Sequence, residues 1–527
     1  MSSKHAGMVA AGHAATADAG AAILRDGGNA VDAAIAAVST SFCAEPVLTA
    51  AGGGGFMLVA PPNQRATLYD GFARMPFGSR IPGIDCELKA IAIDFGDSVQ
   101  TFHIGQAAVA TPSLLAMLFK AHRLHGALPL REALAPGIDA AKNGIRLNQL
   151  QASFITLLQP ILSHSPACKS LHAPHDNWLH EGDYFRNTDL ANTLEMLAID
   201  GIDEMYQGDL AREIVSACTP HGLLGMDDMR SEQVNIRMPL SVDIFGGTLL
   251  TNPPPSSGGL LISFSACILE QLQTSPETAN TAWPVLLSEA LRAASQMRHT
   301  GFDTRIHDHN IAAEILHENT MQYQIHHILQ RLQGLAENPV KEPANRHGST
   351  THISIIDKEG MAVSLTTSNG EGSGIVVPGT GIHLNNMLGE EDINPLGLHA
   401  LAAGKTLSSM MAPSIFLKQG RPEIILGSGG SNRLRGAILQ VLTRCLLQGE
   451  SIETAVHAPR LHNEADRLDF EPDCLSEQEK EQLMQLGWQL QSWQQQSVYF
   501  GGVHAICRAA NGQWFSSGDP RRGGAVA

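Results

Sequence analysis

No stretch of this 527-residue chain holds 18 or more apolar residues in a row, so nothing in it reads as a membrane-spanning helix. Basic side chains are scarce: 35 lysines and arginines stand against 52 aspartates and glutamates, for a formal charge of −17. That balance argues against nucleic acid or an anionic membrane surface as partner and fits small soluble substrates. The eight cysteines, at 43, 86, 168, 218, 267, 445, 474 and 507, are dispersed and form no C-x-x-C pair. In a chain too long to need a disulfide framework they read as buried free thiols. The opening residues Met1 to Gly7 lack the basic stretch and apolar core of a secretory signal, so a cytoplasmic location is expected. No Lys-Ser/Thr follows the glycine run Gly52–Gly55, and a strand rather than a helix comes next, which argues against a phosphate loop. No internal repeat is visible.

What is present is a mixture of two periods. The alanine-rich stretch from Ala14 to Arg25 reads as a helix stopped by Asp26-Gly27-Gly28, and Asn29 caps a second helix with Asp32 in its first turn. Phe56 to Val59 forms an apolar strand. Helical patterns follow around 113–124, 130–142, 189–199 and 257–272, and between 283 and 335 with an interruption at the His-rich loop near 307. Strand patterns occupy 351–384 and 412–428, and helices return near 433–447 and 475–486. Such alternation favours a layered α/β or α+β architecture.

The stretch Thr350 to Asp357 carries the chemistry. Thr351 to Ile356 and Met361 to Thr366 are β-rich runs joined by Asp357-Lys358-Glu359-Gly360, a connection able to close a hairpin. Thr350 therefore opens a strand, and the small pair Gly348-Ser349 precedes it. Upstream, Glu337 to Gly348 is polar with two prolines, the composition of an exposed, mobile connection. An isolated strand threonine is ordinary. At this position it also fits a hidden N-terminal nucleophile: a hydroxyl needs an adjacent base, and cleavage just before Thr350 creates one in its new α-amino group. That amine has an ordinary pKa of about 7.7–8.0, suited to taking up and returning a proton near neutrality.

Nine strings along the chain resemble the γ-glutamyltransferase (γ-glutamyltranspeptidase, glutathione hydrolase) family of N-terminal-nucleophile (Ntn) hydrolases. They are Gly27-Gly28-Asn29-Ala30-Val31-Asp32-Ala33-Ala34, Gly53 to Met57, Pro253 to Gly259, Thr350-Thr351-His352 and Leu384-Asn385-Asn386, followed by Leu407 to Met410, Gly427 to Ser431, His457 to Arg460 and Gly518 to Arg521. The resemblance implies an α+β fold, a four-layer αββα sandwich. It also implies self-cleavage between Ser349 and Thr350 into a large chain 1–349 and a small chain 350–527, together one structural unit. Thr350 would be the catalytic nucleophile in both maturation and turnover. The Gly429-Gly430 turn would supply backbone donors for the oxyanion, each worth roughly 3–4 kcal/mol; alignment from Arg433 backwards selects Gly430 and Ser431 instead. Thr367 or Ser368 would support the nucleophile. Asn369, Ser408, Ser409 and Glu390 would hold a γ-glutamyl substrate, with Glu390 on its ammonium group.

Phe72 stands where the family places an arginine that pairs with the substrate carboxylate, and Arg74, two residues on, is the candidate to replace it. Three functions follow: a γ-glutamyltransferase-type enzyme acting on glutathione or related amides; an Ntn amidase of the cephalosporin-acylase kind with another acyl specificity, favoured by Phe72 and Met387; and an unprocessed, non-catalytic paralogue. The partners expected are a γ-glutamyl substrate, water or an amino-acid or peptide acceptor, and the two chains of one precursor; a homodimer of processed heterodimers is compatible with the resemblance. No cofactor is expected. His307-Asp308-His309 with Glu314 and His317 has the residue types of a metal site, yet lies in no matched string and reads as a solvated loop.

Overall fold

A computed structural model describes residues 7–80, 85–94, 99–231, 233–335 and 349–527; the polar connection Glu337 to Gly348 lies outside them. Two antiparallel sheets face each other. The first has seven strands in the order Ala525–Val526, Gly7–Ala11, Thr351–Asp357, Ala362–Ser368, Gly54–Ala60, Thr67–Gly71 and Asn235–Arg237. The second has six, in the order Trp514–Ser517, Gly502–Arg508, Arg421–Gly429, Ser414–Lys418, Gly247–Thr251 and Leu240–Ile244.

Period-2 alternation builds the layers. In the first sheet Met57, Val59, Ile353, Ile355, Val363 and Leu365 pack into one apolar cluster with helices Ala14–Arg25 and Ala30–Ala44. Their neighbours Phe56, Leu58, Ile356 and Ala362 point the other way and meet Leu250, Ile415, Ile425 and Ile506 of the second sheet. The far face of that sheet, with Leu249, Phe416, Ile424, Leu426, Val503 and Ala505, is covered by helices Ser257–Thr274, Trp283–Met297 and Arg433–Leu447. Three apolar clusters between four layers make this the αββα sandwich of the Ntn type.

Local sequence explains the helix that covers the strand Thr351–Asp357. Asn29 caps Ala30–Ala44 through Val31 and Asp32 N–H groups at 2.9 and 3.1 Å, and Asp32 returns the bond to Asn29 N at 3.0 Å. Every side chain of this alanine-rich helix is buried. The hairpin forms as expected, with Thr351 opposite Thr367 and Ile356 opposite Ala362. The strand pattern expected to run on to 384 stops at Ser368, because Gly370, Gly372, Gly374, Gly379 and Gly381 all adopt positive φ. That run of turns folds back over the Ser349-Thr350 segment. Both sheets draw strands from each side of the Ser349-Thr350 bond, so cutting it would leave two interleaved chains. No helix among the described residues is long and apolar enough to cross a membrane.

Candidate active site

The hairpin places Thr350 at the mouth of the inter-sheet space, and the same alternation sorts the hydroxyls behind it. Thr351 and Thr367 face the helical layer: Thr351 Oγ1 donates to Glu45 at 2.6 Å, and Thr367 Oγ1 meets Thr49 Oγ1 at 3.0 Å and the Gly54 carbonyl at 3.1 Å. Ser368 faces Thr350's side, where its Oγ donates to the Ser349 carbonyl and accepts from Gly370 N at 3.0 Å. Of the two hydroxyls that sequence left open, Ser368 adjoins the Ser349-Thr350 bond and Thr367 points away from it.

Three anchors bracket the Ser349-Thr350 bond. Ser349 N donates to Glu371 Oε1 at 3.0 Å, Ser349 O accepts from Ser368, and Thr350 O accepts from Arg522 Nη1 at 3.1 Å. The glycine turn presses on the same carbonyl: a Cβ at Gly429 would overlap Thr350 O, and Gly430, at φ +120, packs against Gly501 and Arg522. Ser349, Thr350, Ser368, Glu390 and Ser409 line one pocket together with Phe72, Gly370, Met387, Met410, Asp392 and Ser431.

The serine pair is held from outside. Ser409's carbonyl accepts from Ser257 N at 2.7 Å and Ser256 Oγ at 3.0 Å, while its own Oγ accepts from Met411 N at 3.0 Å. A Cβ at Gly258 would overlap the Met410 carbonyl, which accounts for the glycine in the Pro253–Gly259 string. Ser408 lines a neighbouring cavity with His307, Asn394 and Leu401. Asn369 turns its amide to the Leu384 carbonyl at 3.4 Å, and neither it nor Arg74 lines the Thr350 pocket. Arg74 bridges Thr111 and Thr406 through its backbone, and its charge acts on buried Asp70, which Arg237 meets at 3.3 Å. Phe72 forms the pocket wall, stacked on Phe56 with ring centroids 5.3 Å apart. In the His-rich loop, Arg305 spans Asp308 and Glu314 at 2.9 and 2.8 Å.

Buried carboxyls dominate the electrostatics. Burial pushes Glu371 up to about 8 and raises Glu390 well above the ordinary range, with Glu371 and Asp392 adding like-charge repulsion to Glu390. Glu390 also packs over Gly370, where a Cβ would overlap its Oε1. Beneath the strand Thr351–Asp357, burial lifts Glu45 to about 7 despite bonds from Thr351 and Thr16. Burial lowers Arg522 to about 10. His352, fully buried between Thr366 Oγ1 at 2.8 Å and Ser354 Oγ at 3.0 Å, is held well below its usual range and stays neutral.

Glu45, Glu371 and Arg522 were not singled out by sequence reasoning. A signal for Glu371 existed: apart from His383, it is the sole ionisable side chain between Glu359 and Glu390. A raised folded-state pKa means that the carboxyl binds a proton more tightly folded than unfolded. Its contribution to stability is present below about pH 4.5 and is lost as pH rises through about 7 for Glu45. Glu45→Gln is therefore expected to raise the melting temperature more at pH 8 than at pH 5, read by calorimetry at both values. An equal shift at the two pH values would mean that Glu45 titrates normally.

A model of the gamma-glutamyltranspeptidase family matches residues 16–527. The chain belongs to this family. As a member it is an enzyme of amide acyl transfer and hydrolysis. It is 29% identical to the glutathione hydrolase proenzyme of Bacillus subtilis (strain 168) over 483 residues, covering 86% of this chain and 80% of that one. It is equally 29% identical to the acylase ACY 1 proenzyme of Pseudomonas sp. (strain SE83), covering 88% and 84%. Among solved structures, cephalosporin acylase from Bacillus halodurans superposes with a TM-score of 0.83 at 24% identity, over 99% of this chain and 95% of the other. The family's fold is thus matched from end to end, by relatives with two different acyl substrates in their names.

Proposed function

We propose that the chain cuts itself between Ser349 and Thr350 and that the released Thr350 then hydrolyses or transfers the γ-glutamyl group of glutathione or a related amide. The observation that carries this reading is the bracketed bond: Ser368 on the Ser349 carbonyl, with Thr350 next in the chain and lining the same pocket. In maturation Thr350 Oγ adds to the Ser349 carbonyl carbon, and negative charge collects on the oxygen that Ser368 already binds. The C–N bond breaks, nitrogen takes the hydroxyl proton, and the resulting ester is hydrolysed by water to a Ser349 carboxylate and a free Thr350 amine and hydroxyl. In turnover that amine is the general base for Thr350 Oγ. The Gly429-Gly430 turn is proposed to stabilise the oxyanion, Ser409 to meet the substrate carboxylate and Glu390 to meet its ammonium.

Burial and repulsion from Glu371 and Asp392 raise Glu390 well above the ordinary range, so an ammonium beside it would favour its charged form and gain a charge-assisted bond. A glutaryl amide, which lacks the ammonium, gains nothing there. We therefore expect kcat/KM for γ-glutamyl-p-nitroanilide to exceed that for glutaryl-p-nitroanilide by about 10- to 100-fold, the value of one hydrogen bond to a charged group. Glu390→Gln is expected to erase most of that ratio. The apolar wall of Phe72, Met387 and Met410 supports a second reading, an acylase taking a less polar acyl group. Preference for the glutaryl anilide in the same assay would establish it in place of the first.

A further inference from the structure

Glu371 has a place in this site that the reading above does not use. It sits between Gly370 and Gly372, which adopt φ +60 and +81, and its backbone N–H is tied to Asn386 Oδ1 at 2.9 Å. The side chain is thereby turned inward, 2% exposed, with Oε1 on the amide of Ser349 at 3.0 Å. Ser349 is the residue whose carbonyl the proposed self-cleavage attacks.

We propose that Glu371 is a positioning residue for self-cleavage, fixing Ser349 by its N–H while Ser368 fixes the same residue by its C=O. The inference rests on the proposed cut before Thr350. Rotation about the two backbone bonds of Ser349 would swing its carbonyl away from Thr350 Oγ, and an anchor at each end of the residue removes that freedom. With Arg522 on the Thr350 carbonyl, the scissile peptide is restrained on both sides, the condition under which an intramolecular attack gains most from orientation. A neutral carboxyl suffices, because the bond to Ser349 uses only an acceptor oxygen. An amide oxygen on the same stem serves equally.

The test is a time course of freshly purified precursor on denaturing gels, with the smaller fragment of the wild type sequenced from its N-terminus. Glu371→Gln keeps an acceptor at the position and is expected to mature within about threefold of the wild-type rate. Glu371→Ala, which loses the bond to Ser349, is expected to mature about tenfold more slowly, the upper value for a neutral hydrogen bond. Glu371→Met fills the alanine cavity with an apolar side chain of similar size and is expected to be as slow, with a melting temperature above that of the alanine variant. Wild-type speed in the alanine and methionine variants, or a glutamine variant as slow as they are, overturns the role of Glu371 while the cut itself stands. A wild-type fragment that does not begin at Thr350 overturns both.

Discussion

Thr350→Ala is expected to yield one uncut chain that hydrolyses no γ-glutamyl amide above background. Two steps fail together because in the proposed mechanism one oxygen serves both: it attacks the Ser349 carbonyl in maturation and the substrate carbonyl in turnover. In other hydrolases with an activated hydroxyl, loss of the nucleophile removes on the order of 10⁶ in kcat, so the loss here is set at 10⁴ or more. Thr351, the adjacent hydroxyl, is turned to the other face of the strand and committed to Glu45 at 2.6 Å. Thr350→Ser retains the oxygen and is expected to keep part of both activities, at reduced rates because a serine side chain loses the χ1 restriction of a β-branched residue. The gel and the anilide assay read the two steps separately. An alanine variant that still matured and turned over substrate would place the nucleophile elsewhere.

Gly429→Ala is expected to cost about 10²- to 10³-fold in kcat/KM, the range seen when a single oxyanion donor is lost. Gly429 has no unusual φ; the requirement for glycine is steric. It pairs with Gly502 at the end of its strand, and a methyl group there would overlap the Thr350 carbonyl oxygen and come within 3.0 Å of Arg522 Nη1. Either the nucleophile strand or the turn must give way. A shift of a few tenths of an ångström at Thr350 also disturbs the bracketed bond, so maturation is expected to slow in parallel. Gly225→Ala is the control: the nearest atom to its new methyl group is Asp228 Oδ2 at 3.6 Å, and maturation and turnover should be unchanged. Wild-type kinetics in the Gly429 variant would remove the turn from the site.

Much of the scaffold was legible because its local signals agree with its tertiary role. Ala14–Arg25 ends where Asp26-Gly27-Gly28 predicts, Asn29 caps the next helix as its side chain suggests, and the Thr351–Asp357 hairpin closes at Gly360. Helices Gln149–Leu157 and Asp209–Ala217 were not anticipated; the first spans nine residues with a weak 3.6-residue pattern, whereas the second was missed despite a clear one that buries Leu210, Ala211 and Ile214 together. The segment after Ser368 misled for a different reason. Its Ile375, Val376, Val377 and Ile382 read as strand, yet they are buried inside a chain of glycine turns that pairs only locally, through an isolated bridge between Val376 and His383, and joins neither large sheet.

Of the residues that the recurrent strings single out, Thr350, Ser409 and Glu390 line one pocket, while Ser408 lines the neighbouring cavity. The register between Thr367 and Ser368 was not legible, because a one-residue slip exchanges the faces of a strand and composition does not reveal which face is inward. Arg74 illustrates a related limit. Spacing alone put it two residues from Phe72 on one face, but the buried charge of Asp70 lies within its reach and the pocket wall is built without it. Glu45, Glu371 and Arg522 act through partners at least 22 residues away in sequence, contacts that only the folded chain brings together.

The central claim is that this chain makes its own catalytic amine by cutting before Thr350. Incubating the purified wild-type protein and sequencing the smaller product from its N-terminus tests it most directly. The account predicts two fragments from one chain, the smaller beginning Thr350-Thr351-His352-Ile353 and appearing together with γ-glutamyl hydrolase activity. A full-length chain that hydrolyses γ-glutamyl amides without being cut, or a small fragment with a different first residue, would contradict it.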